Sequence, residues 1–171
     1  MDNIRMFIPE TDIREKVSEL GKQLEAEYYG KNLLFLLVLN GSFMFAADLV
    51  RAVPLMDTEI RCIRAKSYIG TQSSGEVEVM NNDVINFKGR HVLIIEDIID
   101  TGRTLAALKK CILEQEPASV KICTLLDKPS RRVIDLVPDY CGFQIPDEFV
   151  VGYGLDYDEK YRQLPYIGIV E

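Results

Sequence analysis

Two adjacent carboxylates, Glu96 and Asp97, stand just ahead of the run Asp100-Thr101-Gly102-Arg103-Thr104. In that run a glycine permits a tight turn and two hydroxyls sit among exposed backbone amides. Leu105, Leu108 and Ile112 then recur at helical spacing, which puts the polar run at a helix N-terminus. Unpaired amides at a helix start carry partial positive charge and can converge on phosphate oxygens. The carboxylates would repel a bare phosphate, so they point to sugar hydroxyls or to a divalent metal. A phosphorylated ribose satisfies both halves of the stretch.

Strands and helices must hold these groups in place. Val92-Leu93-Ile94-Ile95 is apolar without alternation, as in a parallel strand buried on both faces. Leu33 to Leu39 is a second such strand, followed by Asn40-Gly41-Ser42 and a helix from about Phe43 to Val53, stopped by Pro54. Strand, loop and helix therefore occur twice. Glu59 to Ala65 and Ser119 to Leu126 are further strands, and extended structure resumes from Glu76 to Val79. Lys66 to Gly75 has the length and composition of a mobile lid, though a surface loop fits almost as well. Near the start, Thr11 reads as an N-cap, and Ile13, Val17, Leu20 and Leu24 form the apolar stripe of a helix ending near Gly30. The alternation predicts an α/β fold with a parallel sheet, whose ligands lie beyond the strand C-terminal ends. Asn40-Gly41, Glu96 to Thr104 and Asp127-Lys128 all fall there.

The 171 residues, 47% hydrophobic, fit one domain with a sizeable core, and no linker, repeat or low-complexity segment divides them. A net charge of −7 disfavours a broad nucleic-acid footprint. The N-terminus lacks a secretory apolar region and no run approaches membrane-spanning length, so a cytoplasmic protein is expected. Cys62, Cys111, Cys123 and Cys141 form no C-x-x-C pair, and three lie in apolar segments, as buried thiols do. With one histidine, a zinc site is not expected, and His91 reads as a strand-edge residue.

IIEDIIDTGRTL resembles the diphosphoribose-binding signature of type I phosphoribosyltransferases, in which a strand ends in two acidic residues and a D-T-G-x-T loop follows. VLNGSFMF at Val38 to Phe45, AKSYIG at Ala65 to Gly70, LLDKPSRR at Leu125 to Arg132 and FVVGYGLDYDEKYRQLPYIG at Phe149 to Gly168 extend the likeness. Together they resemble the bacterial hypoxanthine-guanine phosphoribosyltransferases over most of the chain. The signature alone identifies the superfamily, and the later motifs identify the purine branch.

The resemblance implies a central, mainly parallel sheet flanked by helices, with a small hood from the N- and C-terminal segments, in one domain spanning residues 1–171. It implies transfer of 5-phosphoribosyl from phosphoribosyl pyrophosphate to N9 of a 6-oxopurine, with Mg²⁺, in a homodimer or homotetramer that binds neither nucleic acid nor membrane. Glu96 and Asp97 would hold the ribose hydroxyls directly or through the metal. Asp100 would serve as general base or acid at purine N7, and Thr101, Gly102, Arg103 and Thr104 would cradle the 5′-phosphate, Arg103 through its amide alone. Lys128 would donate to O6, Phe149 would stack on the purine, and the Val150 carbonyl would meet the ring edge. Asp156 matches a second metal-binding position beside the purine. Asn40, Gly41, Arg132 and Arg162 would serve pyrophosphate, with Ser67 and Tyr68 in the lid. Asn40 departs from the family's usual lysine and removes a positive charge.

Rival readings remain for single motifs. Asp-Thr-Gly also marks aspartic proteases, but there β-structure follows, whereas here a helix does. Gly152-Tyr153-Gly154 begins a dinucleotide fingerprint and lacks its third glycine. A regulatory protein sensing phosphoribosyl pyrophosphate would need a basic face, which the net charge disfavours. A xanthine- or guanine-preferring transferase is not separable by sequence. The apolar Phe43-Met44-Phe45 start of the second helix suits an interface or the core equally.

Overall fold

The structure, a computed structural model, describes residues 3–64, 78–79 and 85–171. Its elements are β1 (Ile4–Ile8), α1 (Glu10–Tyr28), β2 (Leu33–Leu39), α2 (Phe43–Ala52), β3 (Thr58–Arg64), β4 (Glu78–Val79), β5 (His91–Ile99), α3 (Arg103–Leu113), β6 (Ser119–Asp127), β7 (Tyr140–Gln144), β8 (Val150–Val151) and β9 (Ile167–Val170). A six-stranded sheet has the order β4-β3-β2-β5-β6-β7. Strands β3, β2, β5, β6 and β7 run parallel, and β4 joins the edge antiparallel. The expected α/β sheet is present.

Continuous apolar runs form the central strands because both faces are covered. Leu33, Phe35 and Leu37 on β2, with Leu93 and Ile95 on β5, pack among buried residues of α1 and α2. Their alternates Leu34, Leu36, Val38, Val92 and Ile94 pack against Leu105, Leu108 and Ile112 of α3 on the other face. Each fully buried aliphatic side chain contributes about 1.5–3 kcal/mol of transfer free energy, so these two strands anchor the domain. The hood is the separate three-stranded antiparallel sheet β1-β9-β8, whose Ile8, Val150, Ile167 and Ile169 join the α1/α2 side of the core.

Three local expectations are corrected. The N-cap of α1 is Pro9, whose carbonyl accepts from the Asp12 and Ile13 amides; Thr11 lies inside the first turn and its hydroxyl donates to Asp12. Proline's fixed φ pre-sets the helix entry and displaces the hydroxyl cap. Second, β5 does not end before its carboxylates. Long β6 supplies partners for Glu96, Ile98 and Ile99, so the pair sits within the strand. Third, of the cysteines only Cys123 is fully buried, and Cys62, Cys111 and Cys141 are half-buried. His91 is a strand-start residue as expected, hydrogen-bonded to the Ser119 hydroxyl at 2.8 Å. Phe45 enters the core while Phe43 is exposed. The expected lid over Lys66 to Gly75, with Ser67 and Tyr68, lies outside the described residues, as does Ala65 at the expected end of β3.

Candidate active site

The sheet opens where its strand order reverses. Strand β2 pairs with β5 only as far as Leu37 opposite Ile95; Val38 and Leu39 then stay with β3, while Glu96 onward stays with β6. The two strands part at their C-terminal ends, and such a crevice is the ligand site of open parallel sheets. A cavity of about 270 Å³ occupies it, lined by Val38, Leu39, Gly41 and residues from Glu96 to Leu105. A larger groove of about 590 Å³ runs between α1, α2 and the 162–165 segment. Its Arg14 and Arg51 are paired with Glu10 and Asp48 along their own helices, so the smaller crevice, with the adjacent carboxylates Glu96 and Asp97, is the better candidate.

At the mouth of the crevice the backbone is closely fitted. The Leu39–Asn40 peptide is cis, and Ser42 is buried with its hydroxyl donating to the Val38 carbonyl at 2.6 Å. A Cβ on Gly41 would lie 1.6 Å from Asp97 Oδ2, so the acid rests directly on the glycine. The Ile98 amide donates to Asp97 Oδ1 at 2.7 Å and the Asp97 amide to Glu96 Oε1 at 3.2 Å. Burial, reinforced by the neighbouring Asp97 charge, pushes the Glu96 carboxyl well above its usual range. Burial also raises Asp97, against the Ile98 amide and the nearby Arg162 charge. Two desolvated acids held side by side favour hydroxyl donors or a divalent cation as partner.

Asp100 to Thr104 turn from β5 into α3. Gly102 is the N-cap in the left-handed region, φ 81°, a conformation glycine adopts without strain, and its carbonyl accepts from Ala106. Gly102 has no side chain to cap the helix, and the Arg103 amide makes only a long contact, 3.5 Å, with the Thr101 hydroxyl, so the first amides can still serve an anion. The Arg103 side chain is exposed.

Past β6, Lys128 begins a 3-10 turn over Pro129–Arg131. Lys128 is 9% exposed, its amide donating to the Ile99 carbonyl and its Nζ standing 3.8 Å from Asp147 Oδ1. Two neighbouring arginines leave this turn for different partners. Arg131 donates through Nε to Asp100 Oδ1 at 2.9 Å. Arg132, expected at pyrophosphate, pairs with buried Asp127 and donates to the Asp100 carbonyl at 2.7 Å. Arg132 therefore holds the loop.

From the hood, Arg162 donates to the Gly154 carbonyl at 2.7 Å and stands 3.0 Å from Asp156, which also accepts from the Glu159 amide. Asp156 is thus engaged by an arginine, and no group of three or more acids, cysteines or histidines is gathered among the described residues. Phe149 is 53% exposed and meets Tyr157 edge-on at 5.4 Å, while Val150 is buried in β8. The structure therefore brings together Gly41, Glu96, Asp97 and Asp100 to Thr104, with Lys128 at their edge. Sequence reasoning passed over Arg131, Asp147 and Gly154; for Arg131 the only signal was its place beside Arg132.

Comparison with known proteins bears on the whole chain. The phosphoribosyl transferase domain family matches residues 10–158. The chain is 49% identical over 168 residues to the hypoxanthine-guanine phosphoribosyltransferase of Lactococcus lactis, covering 98% of this chain and 91% of that one. With the hypoxanthine phosphoribosyltransferase of Escherichia coli K12 the identity is 44% over 170 residues, covering 98% and 95%. The crystal structure of a hypoxanthine-guanine phosphoribosyltransferase from Bacillus anthracis matches with a TM-score of 0.90 at 46% identity, covering 99% of this chain and 100% of that one.

Proposed function

Because this chain belongs to the phosphoribosyl transferase family, we propose that it transfers the 5-phosphoribosyl group of phosphoribosyl pyrophosphate to N9 of hypoxanthine or guanine, yielding the nucleotide and pyrophosphate. The observation that carries the reading is the crevice between β2 and β5, which Glu96 and Asp97 line together with the helix start at Gly102. That pairing suits a ribose with a 5′-phosphate. Near full-length similarity to hypoxanthine-guanine phosphoribosyltransferases supports the purine as acceptor.

In the proposed reaction N9 of the purine bonds to ribose C1′ as the C1′–O bond to pyrophosphate breaks, the leaving group keeping the electron pair. Glu96 and Asp97 orient the ribose by accepting hydrogen bonds from its hydroxyls. The amides of Thr101 to Thr104 hold the 5′-phosphate. Asp100 accepts the N7 proton as N9 attacks, which leaves the product purine neutral. Lys128 donates to O6, and an exocyclic amino group there would offer it no acceptor, so adenine is rejected. Phe149 and Val150 form the far wall of the purine site, and Gly41 and Arg162 border the pyrophosphate side.

The donor set suits Mg²⁺, which takes one or two carboxylates and completes its octahedron with phosphate oxygens and water. Glu96 and Asp97 supply that pair, and Asp156 would join only by exchanging Arg162 for the metal. When bound, the ion neutralises charge on the leaving pyrophosphate. Asn40 keeps the short loop without the family's lysine charge, so pyrophosphate is held mainly by amides and Arg162. The proposal includes a single domain over residues 1–171 working in the cytoplasm as a homodimer or homotetramer. Among the described residues no helix is long and apolar enough to cross a membrane.

Steady-state turnover with Mg²⁺ and phosphoribosyl pyrophosphate tests the reading, with hypoxanthine, guanine, xanthine and adenine offered separately. Nucleotide is expected from the first two. Turnover of xanthine above hypoxanthine would reassign the base, and tight binding of phosphoribosyl pyrophosphate with no turnover of any base would indicate a sensor.

A further inference from the structure

Four charged side chains form a chain across the rim of the crevice. Arg131 holds Asp100 through both oxygens, at 2.9 Å from Nε and 3.5 Å from Nη2. Its Nη1 lies 3.6 Å from Asp147 Oδ2, and Asp147 Oδ1 lies 3.8 Å from Lys128 Nζ. Asp147 is thus shared between two cations, and both separations exceed hydrogen-bond length. Two cations and two anions make the set neutral, so shifting one contact need not strand a charge. Arg131, Asp100 and Asp147 are about half exposed, whereas Lys128 is nearly buried. Exposed pairs of this kind are weak and exchange readily.

The two ends of this chain are the groups assigned to the purine: Asp100 at N7 and Lys128 at O6. Arg131 contacts both oxygens of Asp100, so the guanidinium and a purine N7 compete for the same carboxylate. We infer that Arg131 and Asp147 form an ion-pair relay that couples occupation of Lys128 by a 6-oxopurine to the release of Asp100. This rests on the transferase reading above. When O6 takes the Lys128 ammonium, that ammonium moves off Asp147; Asp147 then closes on Arg131, and Arg131 leaves the Asp100 carboxylate. No bond is made or broken in the exchange. Arg132 cannot substitute, because it is fixed on Asp127 and on the Asp100 carbonyl. The relay lets the base be recognised before the proton acceptor is uncovered, and Arg131 and Asp147 act as positioning residues.

A suppressor test separates this from a structural role. In Asp147→Asn the arginine has nothing to move to, so kcat with hypoxanthine falls roughly tenfold while KM for phosphoribosyl pyrophosphate stays within about twofold. Adding Arg131→Gln to Asp147→Asn removes the group that must leave, and kcat returns to within about twofold of Arg131→Gln alone. Both sites are about half exposed, and unchanged melting temperatures verify that the variants fold. Losses that multiply in the double variant, or an Asp147→Asn enzyme with wild-type kcat, would overturn the relay. Absence of wild-type turnover with any 6-oxopurine would sink the transferase reading, and the relay with it.

Discussion

Gly154 and Gly41 meet backbone to backbone: a Cβ added to Gly154 would lie 2.1 Å from the Gly41 carbonyl oxygen. Gly154 also has φ 102°, which L side chains rarely adopt. The hood loop is thereby seated on the turn that supports Asp97. Gly154→Ala is expected to cost about 1–3 kcal/mol of stability from backbone strain alone, with further loss from the displaced turn. Thermal unfolding measures the first effect, and a raised KM for phosphoribosyl pyrophosphate measures the second. A variant with wild-type melting and kinetics would show that the two loops are not coupled.

Asp100→Asn retains the shape of the loop but cannot accept a proton. Binding of phosphoribosyl pyrophosphate should persist while kcat falls by roughly 10²- to 10⁴-fold, the span general acid–base catalysis commonly contributes. Equilibrium binding beside single-turnover kinetics separates the two quantities. Full turnover would remove Asp100 from proton transfer.

For Lys128→Ala, the expected result is weaker binding of hypoxanthine and guanine and a smaller preference over adenine, because the proposed donor to O6 is gone. Competition assays with the three bases read this directly. Complete rejection of adenine by the variant would assign base choice elsewhere.

The thiols offer a pH readout independent of the active site. Burial, with the nearby Asp127 charge, pushes the half-buried Cys141 thiol up to about 11, and burial raises Cys123 as well. At pH 8 the thiolate fraction of Cys141 is then on the order of 10⁻³, rising about tenfold per pH unit until the thiol titrates. Iodoacetamide labelling followed by mass spectrometry should find Cys141 nearly unmodified at pH 8 and much faster at pH 10. Labelling at pH 8 as rapid as in urea would contradict this.

Much of this architecture was legible in the sequence for a physical reason. Leu33 to Leu39 and Val92 to Ile95 are apolar throughout because both sides of the sheet are covered, and that pattern declares a central parallel strand. Gly102 was legible too, because a left-handed N-cap before a helical stripe leaves a glycine in a fixed place. Other features depend on contacts far apart in the chain. The length of β5 was hidden because Glu96 and Asp97 look like a strand end until β6 is seen to pair beyond them. Arg131 and Arg132 are chemically alike and adjacent; only the 3-10 turn at Pro129–Arg131 sends one to Asp100 and the other to Asp127. Strand β8 has just two residues, so only its pairing with β9 reveals it, and the hood was expected from family likeness alone.

The hood also sets an order of events during synthesis. Its β1 precedes the other described elements, yet its partner β9 comes after them, with Ile4 opposite Val170. The strand pairing of the parallel sheet takes no partner from β9. A nascent chain can therefore pair β2, β5 and β6 while the wall that carries Phe149 and Val150 is still unformed, and the hood side of the crevice closes last.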